Sequence, residues 1–277
     1  MKRSTDRILA THVGSLVRPP ELLKFIAAKQ GGVAYDQKAY AACLQRTVDE
    51  VVRKQKQSGI DLPSDGEFGK AISWAQYALF RLGGFERRPF KAGTNPFTRG
   101  VDRTRFAEFY ADLDSRDKVE TVMDSVAVAP ITYTGQAELQ LDIDNFKAAL
   151  RGVEVEEAFL PVAAPASAIP DRKNEYYASD EELQRAVGDA MRTEYKMIID
   201  AGFLVQLDDA RAAVSYDRMV PPKSLKDYRS WLAKQVEIVI TPSRVCRAKK
   251  SAITSAGAAG RDRIPPTSRS RTSPTSC

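Results

Sequence analysis

The sequence predicts an α/β fold built on parallel strands, and three observations carry that expectation. Short apolar runs alternate with longer stretches of helical period. Twice a helical pattern stops at glycine and the apolar run that follows ends in acids: Gly59 precedes Asp65 and Glu67, and Gly202 precedes Asp208 and Asp209. The alternation then stops abruptly. From residue 238 to Cys277 there is no Leu, Phe, Tyr, Trp or Met. The chain therefore divides into a body, residues 1–237, and a basic low-complexity tail, residues 238–277. A parallel barrel and a doubly wound open sheet both place ligand-binding side chains at the C-terminal ends of strands. No Gly-x-Gly-x-x-Gly follows the first strand, which speaks against dinucleotide binding.

The elements follow in order. Residues 8–16 read as a strand. Pro19 and Pro20 open a helix over 21–30, where proline is tolerated in the first turn. In residues 36–58, Tyr40, Leu44, Thr47, Val48, Val51 and Val52 recur at helical spacing, and Gly59 supplies the stop. Residues 60–63 form a short strand running into Ser64-Asp65-Gly66-Glu67. Residues 74–82 look helical, and 85–105, rich in Gly, Pro and Arg, read as a long loop. The apolar run 122–133 is a strand through Val128, with Pro130 at its end. Residues 145–150 close a short helix before Gly152. A further apolar run covers 158–164. Ser179 is an N-cap with Glu182 three residues on, the capping-box spacing, and that helix runs to Gly202. Residues 203–207 form a strand, and Pro221-Pro222 lead into a last helix, 225–237.

Composition bounds the function. A chain of 277 residues with 43% apolar content can bury a sizeable core. No stretch approaches the ~18 apolar residues of a membrane span, and the N-terminus lacks the apolar run of a signal peptide. The expected setting is cytoplasmic, without a membrane partner. The three cysteines (Cys43, Cys246, Cys277) form neither a disulfide framework nor a metal pattern. The net charge of +6 belongs to the tail, where eight Arg or Lys face one acid from Thr241 onward. The body is near neutral. A basic tail can bind nucleic acid, but a disordered segment without a partner is the preferred reading.

Several groups could carry chemistry. His12 and Ser15 lie in Thr11-His12-Val13-Gly14-Ser15, at the end of the first strand. Gly14 allows close backbone approach, and the Ser15 hydroxyl can bond a carboxylate or amine. His12 is the only histidine and cannot form a histidine cluster; a structural histidine and an ordinary turn are the alternatives. Asp65 and Glu67, across Gly66, suit an ammonium ligand or proton transfer, against the alternative of a solvated turn. Asp208 and Asp209 follow a buried strand, although one of them can cap the next segment. The interleaved rings and cations of residues 85–110 could cover an anionic ligand or be solvated. None of these residues is assigned a catalytic role.

Taken together, Thr11-His12-Val13-Gly14-Ser15-Leu16, then Gly59-Ile60-Asp61 leading into Ser64-Asp65-Gly66-Glu67, then Gln206-Leu207-Asp208-Asp209 resemble the cobalamin-independent methionine synthase family. The similarity is to its single-barrel members and covers about residues 7–237. The resemblance implies a TIM-barrel, (β/α)8 fold, truncated here to about five or six β/α units. It implies methyl transfer from a methylated folate to the thiol of homocysteine, with the thiolate held on zinc. By the same resemblance Ser15, Glu67 and Asp208 hold the amino-acid part of the substrate, with His12 and Asp65 beside them. Val17 and Ala210 stand where the family commonly has proline. The family's zinc ligands include a His-x-Cys pair after a later strand, and nothing after Asp209 supplies it. The chain also stops before a seventh or eighth strand, so metal ligands are expected to be absent.

The genetic code offers a reason. Written as degenerate codons and read from each third base, residues 248–252 allow Glu-Glu-Val-Arg-Tyr. Residues 253–259 allow His-x-Cys-Trp-Gly-Ser-Trp, and residues 261–269 allow Gly-Pro-His-Thr-Thr-Asp-Ile-Pro-Leu. That string resembles the family's missing strand and loop. The expectation is a reading frame that slips near Ile238, leaving a tail too poor in large apolar residues to order. The enzyme and its zinc-less, inactive remnant are the first two readings, with the remnant favoured for the chain as written. A uroporphyrinogen-decarboxylase-like enzyme and a nucleic-acid binder acting through the tail are the others.

Overall fold

The computed structural model describes residues 2–70, 76–91, 98, 100–117, 123–168, 173–240 and 251–254. Helix α1 (Pro20–Gln30) is followed by α2 (Gln37–Gln57). Asp36 caps α2, accepting from the backbone N–H groups of Lys38 and Ala39. The inner face of α2 is the anticipated stripe, joined by Cys43 and Gln55. Gly59 turns the chain at φ 82°, a conformation open to glycine without penalty.

A short helix, α3 (Gln76–Phe80), leads into β1 (Leu82–Pro89). The helices α4 (Val101–Arg105) and α5 (Ala107–Asp117) precede β2 (Met123–Tyr133), which pairs antiparallel with β1. The loop expected over 85–105 is thus a strand as far as Pro89 and a helix from Val101, with 92–97 and 99 outside the described residues. Strand β2 also continues past Pro130. The ladder skips between Gly83 and Phe85, and a side chain on Gly84 would lie 2.5 Å from the Pro130 carbonyl oxygen. This bulge leaves proline's missing N–H without a ladder position to fill.

Helix α6 (Gln136–Ala149) is longer than the expected short helix before Gly152. After it come β3 (Phe159–Ala163), α7 (Pro165–Ala168) and β4 (Lys173–Asn174), which pairs parallel with β2. Ser179 caps α8 (Asp180–Asp200) by accepting from the Glu182 N–H, while the Glu182 carboxylate accepts from the Ala178 N–H. Strand β5 (Leu204–Asp208), α9 (Ala210–Met219) and α10 (Leu225–Ile240) complete the body. Helix α9 was not anticipated, and α10 runs beyond Glu237 to bury Ile238. Within the segment expected to lack structure, β6 (Ser251–Thr254) forms; the rest of that segment from 241 lies outside the described residues.

The site is positioned by a file of parallel segments. Thr11 bridges Leu62, and the N–H groups of Asp61 and Leu62 both reach the Ala10 carbonyl. Phe159 N–H then bonds the Pro63 carbonyl, β3 pairs with β5 over five residues, and β5 pairs with β6. The first two segments make only this bridge and not the full strands expected over 8–16 and 60–63. Ile8 is 88% exposed, so the first run has no second face to bury. Gly14, at φ 88°, ends it. Among the described residues the file does not close into a barrel. The core packs α1, α2, α6 and α8 against it through Leu22, Leu44, Val52, Phe146, Met191 and Ile198.

Candidate functional site

Two left-handed turns meet at the C-terminal ends of the first two segments. Gly14 turns the first chain, and Gly66 (φ 70°) and Glu67 (φ 62°) turn the second. Leu16 N–H bonds the Gly66 carbonyl at 3.1 Å. This clasp brings Ser15 to Glu67, and the Ser15 hydroxyl donates to Glu67 Oε1 at 3.1 Å. Arg18 donates to the Glu67 carbonyl at 2.6 Å. Glu67 is the one non-glycine residue with positive φ among the described residues. That conformation costs an ordinary side chain about 1–2 kcal/mol, and backbone strain of this kind gathers at functional sites.

The remaining candidates surround this pair. Asp65 Oδ1 accepts from the Glu67 N–H at 2.9 Å and holds the turn. Burial, with the Asp142 carboxylate nearby, pushes the Asp65 carboxyl up to about 6. His12 lies beneath. Its Nε2 is 2.9 Å from Gln55 Oε1, and that amide is oriented by bonds from its nitrogen to the carbonyls of Val51 and Ser64. Nε2 therefore carries the proton, and Nδ1 is a buried acceptor without a hydrogen-bond partner. Asp208 ends β5 in register with Ala163 of β3, and its carbonyl accepts from the Ala164 N–H. It shares the strand-end rim with Ser15 and Glu67 by way of β3. Asp209 turns inward instead. Its carboxylate accepts from the Ser167 hydroxyl at 2.9 Å, and burial raises its pKa while that bond opposes the rise. It sits at the N-cap of α9 without a side-chain cap bond.

Lys70 was missed in the sequence. Its ammonium is buried, 3.3 Å from Glu67 Oε2, donates to the Pro161 carbonyl of β3, and lies 4.4 Å from the Tyr77 ring centre. Gly69 permits this arrangement by close approach, since a Cβ there would fall 1.9 Å from Asp142 Oδ1. Asp142 in turn pairs with the buried Arg81 at 2.6 Å, and Arg81 with Glu194 at 2.8 Å. A cavity of about 180 Å³ opens behind Lys70, between Ile26, Tyr40, Tyr77 and Arg81; Ser15, Glu67 and Asp208 do not line it.

Four of the described arginines of residues 85–110 are engaged within the chain. Arg87 lies over Phe80, Arg103 over Tyr110 and Arg105 over Phe106, while Arg88 pairs with Glu86 and Glu175. The interleaving of rings and charges is internal stacking.

Among the described residues no group of three or more His, Cys, Asp and Glu side chains is placed to hold a metal ion. His12 Nε2 is committed to Gln55. Cys43 lies on the buried face of α2, where burial raises its thiol pKa and disfavours the thiolate. These residues do not fit the zinc that the resemblance implies. No helix among the described residues is long and apolar enough to cross a membrane.

No protein-family model matches the sequence, and no curated protein does. Solved structures do match the fold. A B12-independent methionine synthase from Shewanella sp. W3-18-1, in complex with selenomethionine, aligns with a TM-score of 0.54 at 16% identity over 79% of this chain. A candidate vitamin-B12-independent methionine synthase from Listeria monocytogenes aligns with a TM-score of 0.59 at 19% identity over 90% of this chain. The fold is methionine-synthase-like. The chain spans 53% and 64% of those two proteins. At these identities the likeness extends to the fold alone.

Proposed function

We propose that this chain is a methionine-synthase-type protein that retains the amino-acid-holding part of the site and lacks its metal-holding part. Ser15, Glu67 and Asp208 bind the amino-acid end of a homocysteine-like thiol, and the chain as written does not transfer a methyl group. The observation that carries this reading is the Ser15–Glu67 contact at 3.1 Å, made by two left-handed turns at the strand ends. A buried carboxylate with a hydroxyl beside it suits an ammonium group. The single histidine and the buried Cys43 support the absence of a thiol-activating metal. Calorimetric titration tests the reading. L-methionine and L-homocysteine are expected to bind saturably and to lose binding with Glu67→Ala, whereas equal binding by the variant contradicts the assignment.

The codon pattern supports a second reading, in which the gene's frame slips near Ile238 and the restored frame supplies His-x-Cys. The methyl donor, a methylated folate by resemblance, and the zinc belong to that restored protein. Nucleotide sequencing across the codons for Lys234 to Ser243 decides it. An inserted or missing base supports the slip, and an intact frame rejects it.

A further inference from the structure

We propose that Lys70 is a positioning residue for the amino-acid substrate, acting through Glu67. This rests on the amino-acid reading of the site and names a group that the sequence motifs do not include.

The geometry carries the inference. Glu67 is 2% exposed and Lys70 5%. A carboxylate so buried needs a partner for each oxygen. Ser15 supplies one to Oε1 and Lys70 supplies the other to Oε2. Of these two partners only Lys70 is anchored on three sides: by Glu67, by the Pro161 carbonyl in the middle of β3, and by the Tyr77 ring. Tyr77 is itself fixed, its hydroxyl accepting from the Ala163 N–H at 3.0 Å. The ammonium therefore ties a left-handed turn, which has no ladder of its own, to the adjoining strand. The charges around the turn come from every side: Arg18 on the first loop, Asp65 within the turn, Asp142 of α6 behind Gly69, and Arg81 beyond it. Among the described residues Lys70 is the cation in ion-pair contact with the Glu67 carboxylate, while Arg18 meets the Glu67 carbonyl and acts on the carboxylate from further off. Ser15 can rotate its hydroxyl to make way for an incoming ammonium, while Lys70 keeps the other oxygen, and so the carboxylate plane, in place.

The test compares L-methionine with 4-(methylthio)butanoate, which lacks the amino group, on the full chain. Lys70→Met is expected to weaken L-methionine about 10- to 100-fold, the size of one hydrogen bond to a charged group, and to leave the weaker binding of the des-amino compound unchanged. Lys70→Arg is expected to restore the preference. Equal losses for both compounds overturn the positioning role. A ligand-free measurement stands beside it: in chemical unfolding, Lys70→Met and Glu67→Gln are expected to be non-additive, because the ion pair between them is lost in either single variant while the lysine's contacts to Pro161 and Tyr77 are not shared with Glu67. Additive losses also overturn the proposal. A wild-type chain with no preference for L-methionine overturns the amino-acid reading instead, and the unfolding cycle still decides whether Lys70 holds Glu67.

Discussion

Glu67, Asp65 and Lys70 sit within six residues of one another, yet only the two acids stood out in the sequence. Asp-Gly-Glu after an apolar run is a readable pattern, because a glycine between acids marks a turn. Lys70 carries no such mark. A lysine three residues beyond a turn is normally solvated, and its burial follows from a carboxylate and a strand carbonyl that only the fold brings to it. Asp65 gives this group a measurable signature. Its carboxyl is raised to about 6 by burial, above the unfolded value near ~3.9. The folded state therefore holds that proton more tightly, and stability is lost as pH rises from about 4 through about 6. Asp65→Asn keeps the oxygen that accepts from the Glu67 N–H and removes the titration. The variant is expected to gain roughly 1–3 kcal/mol relative to wild type between pH 4 and pH 7, read by chemical unfolding at each pH. A difference that stays constant with pH would contradict the assignment.

Among the elements, those whose apolar positions recur along the whole segment were legible from end to end. Helix α2, helix α8 with its Ser179 cap, and strands β3 and β5 fall within a residue or two of their expected bounds, and the Asp36 cap of α2 is added by the structure. Helix α6 was read as a fragment because Asp142 and Asn145 interrupt its inner face. Both positions are buried, and Asp142 is there because Arg81 meets it. Glu194 does the same on α8 without hiding that longer helix. Periodicity cannot see a charge that is buried against a partner more than fifty residues away. Arg81 thus joins α3, α6 and α8, and Arg81→Met leaves two carboxylates buried without their cation. The expected cost is about 3–5 kcal/mol, measured by denaturant unfolding. Replacing Asp142 and Glu194 as well with apolar residues of similar size should recover much of it. A single variant with wild-type stability would show that the ion pairs are relieved by solvent.

Over the whole molecule, the order of the parallel segments places Ser15, Glu67 and Asp208 along one rim, as strand-end chemistry requires. The placement of these candidates at segment ends was legible, since strand ends, glycines and acids are written locally. For a metal the sequence offers one histidine, on the first segment, and the one described cysteine lies on a helix face. The backbone nonetheless carries β6 beside β5, with Thr254 in register with Asp208. On the proposed reading this chain keeps the amino-acid half of the site and has lost the metal half. Zinc stoichiometry by elemental analysis, on the chain as written and on its frame-restored counterpart, tests it most directly. The first is expected to bind no zinc and the second one zinc per chain. Stoichiometric zinc on the chain as written, or none on the restored one, would contradict it.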